Sequence, residues 1–146
     1  TSIPVLLLGE TGTGKDWAAQ AIHKKSKRNK GPYIATNLGA LPSELVSSEL
    51  LGHEKGTFTG AFESRKGKFE QAAKGTIFLD EISSIDEKVQ VALLRLIEQK
   101  KFCRLGGKKP ITTDTRLIAA SNQSLTKAVE NGTFAQETLG DIYSKM

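Results

Sequence analysis

The residues with the clearest chemistry lie in two short stretches. Gly9-Glu10-Thr11-Gly12-Thr13-Gly14-Lys15 carries the spacing G-x4-G-K. Glycines at these positions let successive backbone N–H groups curl round phosphates, and the lysine ammonium meets the outer phosphates, as in a Walker A loop. Further along, Thr76-Ile77-Phe78-Leu79 empties into Asp80 and Glu81. Such a pair suits a Walker B arrangement, in which Asp80 would hold magnesium directly or through water and Glu81 would orient and polarise the attacking water. Taken alone, an Asp-Glu pair after a strand is more often a helix-start signal, but the upstream phosphate loop makes it the expected partner. Asn122 leaves two readings open: its amide reaches the terminal phosphate or the attacking water, or it is a turn residue bonding its own backbone. One position departs from the usual loop. Asp16 stands where Ser or Thr follows the lysine, which removes the customary hydroxyl ligand for magnesium.

A third stretch, Glu54-Lys55-Gly56-Thr57-Phe58-Thr59-Gly60-Ala61, places Phe58 between glycines with little around it to bury a ring. Two readings carry equal weight. Phe58 is a binding element on a flexible polar tip, or it folds back onto the core.

These groups need a frame. Ile3 to Leu8 is a continuous apolar run that predicts a strand buried on both faces. Lys15 to His23 predicts a helix with Trp17, Ala18, Ala21 and Ile22 as its apolar positions. Pro32 to Thr36 predicts a second strand, and Pro42 the first residue of a helix that stops at Gly52. Gly52 to Lys68 reads as loop. Thr76 to Leu79 is the third strand. Ser84 and Glu87 have capping-box spacing ahead of a helix whose stripe is Val89, Leu93, Leu96 and Ile97. Arg116 to Ala120 is the fourth strand, and Leu125 to Glu130 a short helix closed by Asn131 and Gly132. Alternating strands and helices imply an α/β fold with a mainly parallel sheet and ligand chemistry at the carboxyl ends of the strands. Gly9 to Lys15, Asn37, Asp80 with Glu81, and Asn122 all follow strands.

The 146 residues with 38% hydrophobic content suit one domain with a real core. The lone Cys103 cannot form an internal disulfide, and no apolar run approaches the roughly 18 to 20 residues that cross a bilayer. With no secretory signal pattern at the start, a soluble cytoplasmic protein with no membrane role is expected. The net charge of +5 bunches in Lys24, Lys25, Lys27, Arg28 and Lys30, which reads as a solvated helix end in preference to a nucleic-acid patch.

Taken together, Gly9 to Asp16, Glu49-Leu50-Leu51-Gly52-His53-Glu54, Gly56-Thr57-Phe58-Thr59-Gly60-Ala61, Gly75 to Ile82 and Asp114 to Asn122 resemble the AAA+ domain of bacterial enhancer-binding proteins, the sigma-54-dependent transcriptional activators. The likeness covers the chain to about Phe134. It implies a three-layer P-loop NTPase (AAA+) fold, and a partial ATPase domain over residues 1–146 with the helical lid absent. It also implies ATP and Mg2+ as cofactors. In that family an acid commonly follows the lysine, so Asp16 is a family trait. The cofactor-binding set is then Gly9, Glu10, Thr11, Gly12, Thr13, Gly14, Lys15 and Asp16, with Asp80 for the metal. Lys15, Glu81, Asn37 and Asn122 form the catalytic set. Asn37 matches the asparagine that restrains the Walker B glutamate, so it would couple Glu81 to the state of the loop.

The hexapeptide is the most discriminating likeness. It resembles the loop that touches sigma-54, with Thr57 where the family usually has alanine, and implies Phe58 and Thr59 as the contact tip of a surface formed by Gly56, Thr57, Phe58, Thr59, Gly60 and Ala61. Implied partners are sigma-54 RNA polymerase, further copies in a ring, expected to be a hexamer, and enhancer DNA through a domain outside this chain. The family's arginine fingers are not matched: Ala135 and Gln136 follow Phe134, and Lys145 stands at the second finger position. Lysine lacks the planar fork that spreads over phosphate oxygens. The expected activity is hydrolysis of ATP coupled to remodelling of the polymerase, with a poorly active isolated fragment. The competing readings are another AAA+ remodelling machine and a nucleotide-regulated binding module without efficient turnover.

Overall fold

In the computed structural model, four strands run parallel: β1 (Val5–Leu8), β2 (Tyr33–Asn37), β5 (Thr76–Asp80) and β8 (Arg116–Ser121), in the spatial order β1-β8-β5-β2. The structure describes residues 3–9, 14–121, 130 and 132. Between these strands lie α1 (Lys15–Lys25), α2 (Ser43–Leu51), α3 (Lys68–Gln71) and α4 (Glu87–Gln99). Two small antiparallel ribbons complete the fold, β3 (Gly52–His53) with β4 (Arg65–Lys66), and β6 (Lys101–Phe102) with β7 (Ile111–Thr112).

Side chains alternate across a pleated strand, and here the alternation divides the core into two layers. Leu6, Ile77, Leu79, Leu117 and Ala119 pack with Val46, Leu50, Phe69, Val89, Leu93 and Leu96 from the helices α2, α3 and α4. Phe78, Ile118 and Ala120 point the other way and pack with Ala19 of α1. The result is the expected three-layer α/β architecture. The central strands β5 and β8 are buried almost throughout, as parallel strands covered on both faces must be. Among the described residues, no helix is long and apolar enough to cross a membrane.

Several expectations are corrected. β1 begins at Val5 and lies at the sheet edge, so it is not buried on both faces, and Leu8 is 57% exposed. The apolar face of α1 is displaced by about one residue. Trp17 is exposed, while Ala19 and His23 are buried, because small Ala19 lets the helix approach the sheet and His23 Nδ1 meets Thr76 Oγ1 at 2.8 Å. Pro42 is the residue before α2, with ψ at 138°, which lies outside the helical range.

The segment Gly52 to Lys68 is not all loop, since the two-residue strands β3 and β4 are too short to show a period. The capping box of Ser84 and Glu87 does not form. Ser84 belongs to a 3-10 turn, Ile82–Ser84, that helps bury Ile82 and Ile85, and the cap of α4 is Asp86, whose carboxylate accepts from Val89 N at 3.0 Å. Among the basic residues, Lys24, Lys25, Lys27 and Lys30 are exposed as expected, but Arg28 reaches across to Asp114 at 2.6 Å. The short helix expected from Leu125 lies mostly outside the described residues, with only its last residue, Glu130, described as helical.

Candidate functional site

Parallel strands bring all their carboxyl ends to one edge of the sheet, and that edge gathers the chemistry. Gly9 follows β1 and its N–H donates to Ser121 O at the end of β8, at 3.3 Å. Asp80 closes β5, and Asn37 closes β2 in register with it. The spatial order is therefore Gly9, Ser121, Asp80, Asn37, an order that chain position alone does not give.

Gly14 precedes α1 with φ 84° and ψ 24°, a left-handed conformation in which glycine is free of the Cβ penalty. A Cβ at this position would meet open space, so the backbone angle is what calls for glycine. One turn into the helix, Ala18 N donates to Gly14 O at 3.0 Å. The Lys15 side chain reaches back to the strand that precedes it, its Nζ donating to Gly9 O at 2.7 Å. That ties the ammonium to the end of β1, at the carboxyl edge of the sheet. Asp16 accepts from Gln20 Nε2 and from the Tyr33 hydroxyl, both at 3.2 Å. Burial of the Tyr33 phenol, reinforced by the Asp16 charge and hydrogen bond, pushes its pKa far above the ordinary tyrosine range.

Asp80 and Glu81 are half-buried, and Asp80 Oδ1 accepts from Glu81 N at 2.9 Å. Glu81 holds φ 57° and ψ 52°, a left-handed conformation uncommon for a residue with a side chain. Such strain is concentrated at functional positions. The bend swings its carboxylate over the backbone of Gly39, so closely that a Cβ on Gly39 would overlap it. Asn37 Oδ1 accepts from Gly39 N at 3.0 Å. Asn37 and Glu81 thus meet on the same glycine, and the amide bonds that backbone instead of bonding the carboxylate directly. Sequence reasoning missed Gly39 and Tyr33, for neither has a motif of its own.

Among the described residues, no group of three or more His, Cys, Asp or Glu side chains is arranged to hold a metal. A magnesium ion at Asp80 would therefore take most of its oxygen ligands from phosphates and water, which is how that ion is commonly bound. The second oxygen of Asp80 has no protein partner among the described residues, and fits such a role. Glu10, Thr11, Gly12, Thr13 and Asn122 lie outside the described residues, as do Ala135, Gln136 and Lys145.

The third stretch forms a tight turn at the end of the β3–β4 insertion. Gly56 N donates to Ala61 O at 2.8 Å and Ala61 N to Phe58 O at 3.0 Å, with Gly56 and Gly60 at positive φ. Ala61 is buried, whereas Phe58 is 47% exposed. The ring does not enter the core. It lies edge-on to His53, with ring centres 4.9 Å apart. Behind the turn, Arg104 grips Glu70 with two nitrogens at 2.8 and 3.0 Å and reaches Glu54 at 3.4 Å. The Glu70 hydrogen bonds raise the Arg104 pKa further, so the guanidinium stays charged. No spacing in the sequence announces this network, whose members are widely separated along the chain.

Comparison with known proteins identifies the family and the fold. The family model described as the Sigma-54 interaction domain matches residues 1–145. The DNA-binding transcriptional regulator NtrC of Salmonella typhimurium is 50% identical over 137 residues, covering 94% of this chain and 29% of that protein. The chain thus spans under a third of the length of such relatives. The crystal structure of NtrX from Brucella abortus in complex with ATP superimposes with a TM-score of 0.88 at 30% identity, over 97% of this chain and 30% of that one. The P-loop NTPase domain of a sigma-54 transport activator from E. coli shares the fold, with a TM-score of 0.66 at 18% identity over 99% of this chain and 81% of that one.

Proposed function

The chain belongs to the sigma-54 interaction domain family, and from that premise we propose that it binds ATP at the carboxyl edge of its sheet and couples hydrolysis to remodelling of sigma-54 RNA polymerase. The observation that carries this reading is the convergence of Lys15 over Gly9, Asp80 with Glu81, and Asn37 on one edge of the parallel sheet. In this reading the glycine-rich loop and the α1 N-terminus receive the phosphates, and Lys15 exchanges its contact with Gly9 O for the outer phosphate oxygens. Magnesium, held through Asp80, would neutralise charge on those oxygens. Glu81 orients the water that attacks the terminal phosphorus and polarises its O–H bond. Asn37 and Gly39 fix the position from which the Glu81 carboxylate acts. Asp16, tied to Tyr33 and Gln20, sits in the first turn of α1, next to the lysine that meets the phosphates.

The half-exposed Phe58, at the end of the β3–β4 insertion, supports assignment of Gly56 to Ala61 as the sigma-54 contact. The protein is proposed to work in the cytoplasm as a ring of copies, with DNA recognition outside this chain. The test is a phosphate-release assay paired with capture of purified sigma-54. ATP-dependent release together with nucleotide-dependent capture is expected. Saturable ATP binding without release would favour a nucleotide-regulated binding module, and release without capture would point to another remodelling ATPase.

A further inference from the structure

The Phe58 turn is held at its base by Thr57, which the family resemblance assigns only to the contact surface and not to its tip. Thr57 Oγ1 lies within hydrogen-bond reach of Glu54 O, inside the insertion, and of Leu105 O at 3.1 Å, in the segment that follows β6. A hydroxyl has one proton, so the two carbonyls share it. Backbone bonds run beside this contact: Glu54 N donates to Leu105 O and Leu105 N to Gly52 O, both at 3.0 Å. The partner segment also makes room. Gly106, at φ +73°, lies so close to Thr57 that a Cβ there would overlap the threonine side chain. Because the turn from Gly56 to Ala61 is closed by its own hydrogen bonds, fixing Thr57 fixes the next residue, Phe58. Leu105 in turn follows α4 through β6, and α4 begins shortly after Glu81.

We propose that Thr57 is a positioning residue that ties the Phe58 tip to the segment 103–107, so that the place of the tip is set by α4 as well as by its own loop. The target of the tip rests on the sigma-54 reading above, whereas the tie itself does not.

Hydrogen–deuterium exchange on the full chain, with and without ATP, separates the two. Thr57→Val keeps the shape and removes the proton. Losing one neutral hydrogen bond should speed exchange of amides in 56–61 and 105–107 about fivefold, and Thr57→Ser should restore protection. Gly106→Ala, which displaces Thr57 from the opposite side, should give the same rise. Unchanged exchange in both Thr57→Val and Gly106→Ala would overturn the tie. In parallel, capture of purified sigma-54 with ATP should fall several-fold in Thr57→Val and return in Thr57→Ser, and capture insensitive to Thr57→Val overturns the positioning role. If exchange rises as expected but the unsubstituted protein captures no sigma-54, the sigma-54 reading falls and the tie stands.

Discussion

The sheet edge and the Phe58 insertion are both polar constructions, but they are assembled differently. At the edge, the positions come from backbone: strand register sets Asn37 beside Asp80, and a main-chain bond joins Gly9 to Ser121. In the insertion, side chains from distant parts of the chain supply much of the hold, Arg104 to Glu70 and Glu54, and Thr57 to Leu105. Register survives the loss of one side chain, because neighbouring ladder bonds hold the strand. A network centred on one guanidinium does not. Substitutions at the edge should therefore change chemistry with the fold intact, and substitutions behind the insertion should change the fold locally with the chemistry intact.

The largest effect expected on this contrast is Glu81→Gln. It removes the group proposed to polarise water while the Asp80 carboxylate remains, so phosphate release should fall on the order of a thousandfold with ATP still bound. Phe58→Ala should do the opposite, losing capture of sigma-54. Turnover near the original rate in Glu81→Gln, together with normal capture in Phe58→Ala, would show that the two regions have been assigned wrongly.

Next is Lys15→Ala, for which calorimetry should record ATP affinity lower by about a hundredfold, in line with removal of a charge-assisted phosphate contact. Its urea midpoint should stay close to the original, since Lys15 is not a core residue.

Arg104→Ala sharpens the contrast from the other side. It leaves the largely buried Glu70 carboxylate without its two-pronged partner, at a cost of about 2 kcal/mol in urea unfolding. ATP affinity should hold. A loss of ATP affinity matching that of Lys15→Ala would mean that the regions are not separable.

The smallest effect concerns acid. Arg28 donates to the Asp114 carboxylate and holds its pKa below the ordinary range. A depressed carboxylate pKa adds stability that is complete above the unfolded value of about 3.9 and is lost as pH falls through the lower folded value. Asp114 is mostly exposed, so the pair is worth less than about 1 kcal/mol. Asp114→Asn should flatten the fall of the urea midpoint below about pH 4. Superimposable acid limbs would remove this pair from the account.

The same contrast explains what can be read from residues alone. Apolar runs predict β5 and β8 to within one residue of their observed bounds, because burial on both faces imposes an unbroken pattern. Gly14, Lys15, Asp80 and Glu81 stand out in the sequence because the phosphate chemistry proposed for them would restrict residue type and spacing together. β3, β4, β6 and β7 are too short to carry a period, and the Arg104 network obeys no spacing. Hydropathy misplaces the face of α1 because alanine is indifferent in such a pattern: Ala19 is buried for its smallness, while the more apolar Trp17 turns outward. Gly39 could be suspected only from a glycine two residues after Asn37, and its use depends on the left-handed bend at Glu81, which nothing local demands.

That outward tryptophan has a practical optical consequence. Trp17 is the single tryptophan of the chain, 77% exposed and two residues beyond Lys15. Its fluorescence is therefore that of a water-bathed indole, emitting at long wavelength and open to collisional quenchers such as acrylamide. With no second indole in the chain to dilute the signal, the domain carries its own reporter in the first turn of α1. Any closure of protein or nucleotide over α1 will register as a blue shift and a lower quenching constant, without a label.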